Sequence, residues 1–167
     1  MVVDFEFKKK IMDYHVDSGL IRYCYQCNRC TDNCPISYAT DDLYTKAYNP
    51  RLNILNTLLG YKDAILNADT IVIWGCTSCD TCNEVCPQHI KLTEIFILLK
   101  NETVKQGKAP EKIYTQAGVI FKNGKAIPSQ SAIERRRKSL GLPAVMEPDV
   151  NEIQNLMKNV DADKKLR

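Results

Sequence analysis

Two cysteine runs of identical spacing constrain this chain more than any other feature. Cys24, Cys27, Cys30 and Cys34 stand in CYQCNRCTDNCP, and Cys76, Cys79, Cys82 and Cys86 stand in CTSCDTCNEVCP. Both read C-x2-C-x2-C-x3-C-P, and together they use all eight cysteines of the 167 residues. A disulfide framework would spread its cysteines to staple distant loops, in an oxidising compartment. Here the opening MVVDFEFKKKI has no apolar core followed by a small-residue cleavage site, which argues against a signal peptide. Structural zinc takes cysteine pairs to complete a tetrahedron, and a third cysteine so soon after the pair is not its usual pattern. The full run with its trailing proline is the bacterial ferredoxin pattern for a [4Fe–4S] cube. The spacing therefore favours two [4Fe–4S] clusters over zinc or disulfides.

A cube needs one thiolate at each of four corners. Three closely spaced cysteines wrap one loop around three corners, with backbone N–H groups turned toward the sulfides. In two-cluster ferredoxins the fourth corner is reached from the other run. That rule assigns one cluster to Cys24, Cys27, Cys30 and Cys86, and the other to Cys76, Cys79, Cys82 and Cys34. The competing arrangement, each run holding its own cluster, uses the same eight ligands. Either way every iron is saturated by thiolate, which suits one-electron transfer and leaves no open position for a substrate. Pro35 and Pro87, each after a fourth cysteine, suit the first turn of a helix leaving the cluster.

The rest of the sequence reads as a helical scaffold. Phe7, Ile11 and Tyr14 recur at helical spacing over 4–17, with Gly19 as a stop. Pro50 opens a helix over 51–59 with a stripe of Leu52, Leu55, Leu58 and Leu59, ended by Gly60. A short helix follows over 62–66, and 70–74 (TIVIW) is β-branched but too short to decide. Thr93 can cap a helix running to about 106, with Ile95, Leu98 and Leu99 inward and Gly107 beyond its end. The two runs begin 52 positions apart, and a leucine-striped helix fills the gap. Beyond Gly107 come four prolines by position 148. Val119-Ile120-Phe121 before Asn123-Gly124 suggests one arm of a hairpin, and charged helices are expected over 131–140 and 150–160. The organisation is thus a helical two-cluster domain over 1–107 and a loop-rich C-terminal extension over 108–167, read as a partner-docking segment, with a flexible tail as the alternative.

Charge and composition narrow the function classes. The formal net charge is +3, too small to imply nucleic acid or an anionic membrane. Two oxidised clusters of about −2 each would bring the sum to roughly −1. The longest charge-free stretches are 10 residues, against the ~20 apolar residues of a membrane span. Arg135, Arg136, Arg137 and Lys138 form one basic run without interleaved aromatics, a solvated helix face rather than a nucleic-acid patch. His89 has no role once eight thiolates serve the cubes. His15 reads as solvent-facing, and Trp74 as a shield for a cluster. With seven glycines and no G-x-G-x-x-G, the chain lacks a dinucleotide fingerprint.

The cysteine runs, the Asn49-Pro50-Arg51 that precedes the leucine helix, the segment IWGCTSCDTCNEVCP and the late GLP together resemble the C subunit of heterodisulfide reductase over roughly residues 5–145. Asn28 departs from the glycine common after the second cysteine, but asparagine tolerates positive φ. The resemblance implies a mainly α-helical, ferredoxin-like fold and the electron-transfer subunit of an oxidoreductase complex, without a catalytic site of its own. It implies a cytoplasmic assembly with two further heterodisulfide reductase subunits. The A subunit carries flavin and iron–sulfur groups, and the catalytic B subunit reduces the CoM-S-S-CoB heterodisulfide in methanogenesis. Flavin-based electron bifurcation and a hydrogenase or formate dehydrogenase module belong to the same expectation. The alternative is an iron–sulfur subunit of another oxidoreductase, of glycerol-3-phosphate dehydrogenase or lactate-utilisation type.

Overall fold

Every regular element is helical among the residues that the computed structural model describes, 2–14, 17–40, 48–66 and 71–166. Two compact units divide the chain, Met1–Ala109 and Pro110–Arg167. The first contains α1 (Phe5–Met12), a 3₁₀ turn (Asp17–Tyr23), α2 (Arg29–Asp32), α3 (Pro35–Ala39), α4 (Pro50–Leu59), α5 (Lys62–Leu66), α6 (Ile71–Trp74), α7 (Thr81–Glu84) and α8 (Leu92–Lys105).

The carboxylate of Asp4 caps α1 by accepting the Phe7 N–H at 2.8 Å. The helix stops at Met12, earlier than the apolar spacing suggests, and Tyr14 lies exposed. Gly19 falls inside the following 3₁₀ turn instead of ending the helix. The Ser18 hydroxyl donates to the Met12 carbonyl at 3.1 Å, one of the acceptors left open at a helix end. His15 lies outside the described residues.

The ends of α4 are as expected, with Pro50 in its first turn and Gly60 left-handed at φ 74°. Its buried face is not the leucine stripe. Pro50, Asn53, Ile54 and Thr57 turn inward, while Leu52 and Leu59 are 45% and 42% exposed. Polar residues can face the core here because they are paired. Asn53 Nδ2 donates to the Val72 carbonyl, and Thr57 Oγ1 donates to the Asn53 carbonyl at 2.8 Å. The orientation is pinned at Gly60, whose carbonyl accepts the Asp4 N–H at 2.8 Å; a Cβ there would lie 2.8 Å from the Asp4 carbonyl oxygen.

The β-branched segment Ile71–Trp74 is a single helical turn, packed on α5 and α8. Burial of Ile73 against neighbouring helices overrides the local β preference. In α8 the residue at the N-terminal cap is Lys91, and Thr93 lies within the helix. The capping expected of Thr93 is done by Asn83, whose Oδ1 accepts the Thr93 N–H at 3.0 Å. Ile95 and Leu99 on α8 meet Ile11, Ile21, Ile54 and Ile73 in one core, each worth roughly 1.5–3 kcal/mol of burial. Glu102 enters this region with its charge paired, to Lys10 at 2.6 Å and Lys105 at 3.2 Å. Burial alone would raise its carboxyl, but the two lysines overcome this and hold it below its ordinary value.

The second unit contains α9 (Glu111–Asn123), α10 (Ser131–Ser139), α11 (Val150–Asn159) and a closing 3₁₀ turn (Asp163–Lys165). The expected hairpin is absent. Val119-Ile120-Phe121 belongs to α9, and Gly124, left-handed at φ 68°, ends that helix. Asn-Gly thus marks a helix C-terminus, a role glycine fills as readily as a hairpin turn. α11 packs on α9, where Gln154 Nε2 donates to the Phe121 carbonyl at 3.1 Å. α10 buries nothing, and its basic run is exposed except at Arg137, which donates to the Pro143 carbonyl at 3.0 Å.

Candidate metal centres

The two cysteine runs fold as two copies of one backbone. Gln26 and Ser78, 52 positions apart, both have φ 56°; Asn28 and Asp80, at the same offset, have φ 69° and 62°. Each left-handed non-glycine residue costs about 1–2 kcal/mol, so four at matched positions mark an imposed loop shape. That shape folds N–H groups back onto sulfur. The Ser78 N–H donates to Cys76 Sγ at 3.4 Å, and the Gln26 N–H acts likewise on Cys24. Each loop then enters a single helical turn, α2 or α7, at the same offset.

The loops are completed from across the unit. Cys24, Cys27 and Cys30 line one concavity together with Cys86. Cys76, Cys79 and Cys82 line a second together with Cys34. Cys34 sits at the cap of α3, where its sulfur accepts the Ser37 N–H at 3.5 Å. Pro35 opens that helix, whereas Pro87 opens only a turn, closed by the His89 N–H on the Cys86 carbonyl at 3.1 Å. The fourth cysteines are therefore presented by different local structures. In each concavity one thiol, Cys27 or Cys79, is exposed and the other three are half-buried.

The donor set fits a cube better than a single ion. All eight thiols are free of disulfides. Among the described residues, no three cysteine, histidine or acidic side chains converge closely enough to hold one metal ion. Zinc with bonds of about 2.3 Å needs such convergence, whereas a cube meets four thiols spaced around its corners. Each concavity has four thiols on its walls, the donor number that a cube requires. Burial pushes the Cys24 and Cys82 thiols up, and Cys30 up to about 11. Cys79 is held down, chiefly by a hydrogen bond with the Thr81 hydroxyl. The charge of Cys86 acts on Cys24, and that of Cys82 on Cys30, so the runs are electrostatic neighbours. α2 and α7, which carry Cys30 and Cys82, pack on each other.

The side chains around the thiols differ between the sites. Arg29 and Arg51 line the first, and Arg51 Nε donates to Asn28 Oδ1 at 3.0 Å. Gln26 Nε2 donates to Cys24 Sγ at 3.2 Å. The second has Asp80 and no lining cation, with Thr93 Oγ1 3.6 Å from Cys82 Sγ. Tyr48 also lines it, and the phenolic oxygen is buried with no hydrogen-bond partner among the described residues. Leaving such a group unpaired costs about 1–3 kcal/mol, so a polar acceptor fits there. None of Gln26, Tyr48 and Arg51 stood out by type; only the Asn49-Pro50-Arg51 context pointed near them. Trp74, read from the sequence as a shield, lines neither concavity but is partly buried against the same core as Cys76. Its Nε1 donates to Thr103 Oγ1 at 3.1 Å, and Lys100 Nζ lies 5.5 Å from its ring centre. His89 is exposed, with left-handed backbone at φ 51°, and lines neither site.

Paired four-thiol concavities in a helical unit define a two-cluster iron–sulfur protein, and a family model described as a 4Fe-4S dicluster domain matches residues 20–90. The chain binds two [4Fe–4S] clusters and is mainly α-helical, ferredoxin-like in class. It is 36% identical over 150 residues to the CoB–CoM heterodisulfide reductase iron-sulfur C 2 subunit of Methanocaldococcus jannaschii, covering 86% of this chain and 76% of that one. It is 34% identical to the C2 subunit of the H(2)/formate:CoB-CoM heterodisulfide,ferredoxin reductase of Methanococcus maripaludis, covering 86% and 76%. Against the C subunit of the H(2):CoB-CoM heterodisulfide,ferredoxin reductase of Methanothermobacter marburgensis the identity is 33%, covering 84% and 70%. The chain belongs to the family of heterodisulfide reductase iron–sulfur C subunits. Each of these relatives is one subunit among several, so the family works in multi-subunit complexes. Among the described residues no helix is long and apolar enough to cross a membrane.

Proposed function

We propose that this chain is the electron relay of a CoB–CoM heterodisulfide reductase, carrying electrons from a flavin-bearing A subunit to a catalytic B subunit. The observation that carries this reading is the pair of neighbouring four-thiol concavities in one helical unit. Cys24, Cys27, Cys30 and Cys86 would hold one cluster, and Cys76, Cys79, Cys82 and Cys34 the other. When bound, each cluster supplies a one-electron carrier. The chain's residues fix the geometry: left-handed loop residues aim N–H groups at sulfur, and the α2–α7 contact keeps the sites adjacent. Ile90 and Leu92 line the first concavity and Phe96 the second, which keeps water from those walls. Exposed Cys27 and Cys79 put one edge of each site where a partner can reach it.

The C-terminal unit is the proposed docking segment in a cytoplasmic complex, with a hydrogenase or formate dehydrogenase module beyond the flavin-bearing partner. Ile127, Ile133 and Met146 are exposed there, and Ile133 shares α10 with the basic run. Anaerobic reconstitution should give about eight iron atoms per chain and a brown protein that bleaches on reduction. Tagged chain expressed in a methanogen should copurify with flavin- and cluster-bearing subunits, and Met146→Asp should weaken that capture with iron unchanged. About two zinc atoms and no iron would overturn the cluster reading.

A further inference from the structure

The Tyr48 hydroxyl is buried without a well-placed acceptor among the described residues. The residue is 2% exposed, and its backbone is tied on both sides: its N–H donates to Thr40 Oγ1 at 3.1 Å, and its carbonyl accepts from Ser37 Oγ at 2.7 Å. Its ring meets Phe96 edge to face, with centroids 6.3 Å apart at 75°. The opposite wall is Gly75, immediately before Cys76. A Cβ on Gly75 would lie 2.9 Å from Tyr48 Cδ2, so glycine at that position makes room for the ring. These contacts aim the phenol into the second concavity, among Cys34, Cys76 and Cys82. The hydroxyl lies near enough to the Cys76 thiol to interact with it, yet it makes no hydrogen bond of good geometry among the described residues. Burial keeps it protonated, pushing the phenol far above its ordinary range.

We infer that the Tyr48 hydroxyl donates a hydrogen bond to a sulfur of the cluster ligated by Cys34, Cys76, Cys79 and Cys82, and so sets that cluster's reduction potential apart from its neighbour's. This rests on the ligand reading above. Hydrogen bonds to cluster sulfurs favour the more negative, reduced state and raise the potential. No phenol lines the first concavity in the matching role; Tyr25 lines it but is 70% exposed, and Gln26 supplies an amide.

The test uses the full chain reconstituted with both clusters, the two signals being followed by EPR during a redox titration. Tyr48→Phe keeps the ring, its Phe96 contact and its seat on Gly75. The expected result is eight iron atoms per chain, as two four-iron clusters require, with reduction of one cluster about tenfold less favourable, about 59 mV for one electron. The other cluster should not shift. Pulsed EPR after exchange into deuterated buffer should show, beside the couplings of the loop N–H groups, one deuteron coupling to that cluster that is present in the native chain and missing in Tyr48→Phe. Eight irons with both potentials and the deuteron unchanged overturn the hydrogen bond and leave the cluster reading standing. If native chain holds only one four-iron cluster, both readings fall. If Tyr48→Phe loses iron, native chain carrying fluorinated tyrosine decides: the more acidic phenol should raise the potential of that cluster alone, and an unchanged potential overturns the bond.

Discussion

The first and second cysteine loops share a backbone but not a setting. Their left-handed residues coincide at an offset of 52, and each loop feeds a single-turn helix. After that they diverge. Cys34 caps a helix opened by Pro35, while Cys86 precedes a turn. Two arginines and a glutamine amide face the first site; Asp80, Thr93 and a buried phenol face the second. What must be common to both sites is carried by the loop, where thiol spacing and φ are fixed. What can differ lies in the side chains: Gln26 and Asp80 in the loops, Arg29 on α2, Arg51 on α4, Thr93 on α8 and Tyr48 just before α4. Two carriers of the same chemistry can thereby be given different potentials, as a directional relay requires.

The largest effect should come from breaking the exchange of fourth cysteines. Cys86→Ala should extinguish the same EPR signal as Cys27→Ala, and Cys34→Ala the same signal as Cys79→Ala. Iron should drop from about eight to about four in each. If Cys86→Ala instead tracks Cys79→Ala, each run holds its own cluster and the two halves are independent. Smaller is the effect of Arg51→Met, which removes a cation from the first site alone. The potential of the Cys24–Cys27–Cys30 cluster should fall by up to about tenfold in the reduction equilibrium, about 59 mV. The other cluster should hold, and equal shifts in both would show that the arginine acts on the whole unit and not on one site.

The helical class and the loops were legible in the sequence because spacing reports them directly. C-x2-C-x2-C-x3-C-P leaves little choice of loop, and Pro50 and Gly60 punctuate α4 where they stand. The buried face of α4 was not legible, because apolar character alone ranks Leu52 above Asn53. Only the carbonyl of Val72, 19 residues on, makes Asn53 the inward residue. From sequence the single turn at Ile71–Trp74 stays undecided and the helical end at Asn123-Gly124 reads wrongly as a hairpin, for a related reason. Local composition fits two structures there, and packing on α5 and α8, or α11 on α9, selects one. Tyr48 was invisible because a buried tyrosine is ordinary until its hydroxyl is seen without a partner.

The smallest predicted effect separates α8 from α4 by pH. α1 packs on both. On α4 the inward polar groups, Asn53 and Thr57, are neutral; on α8 the inward group is Glu102, paired with Lys10 and Lys105. Because the folded chain holds Glu102 below its ordinary pKa of 4.5, its stabilisation is fully present above that value. It is lost as pH falls through the lower folded value. Both lysines are half-exposed, so the contribution is on the order of 1 kcal/mol. Glu102→Gln in the apo chain should therefore lower Tm by a few degrees at pH 7, with the gap to native closing as pH drops below 4.5. Thr57→Val, made as the matching change on α4, should leave a gap that does not move with pH. A Glu102→Gln gap that is constant from pH 7 to pH 3 would show that the carboxylate's charge contributes nothing, and that its place in the core depends on hydrogen bonding alone.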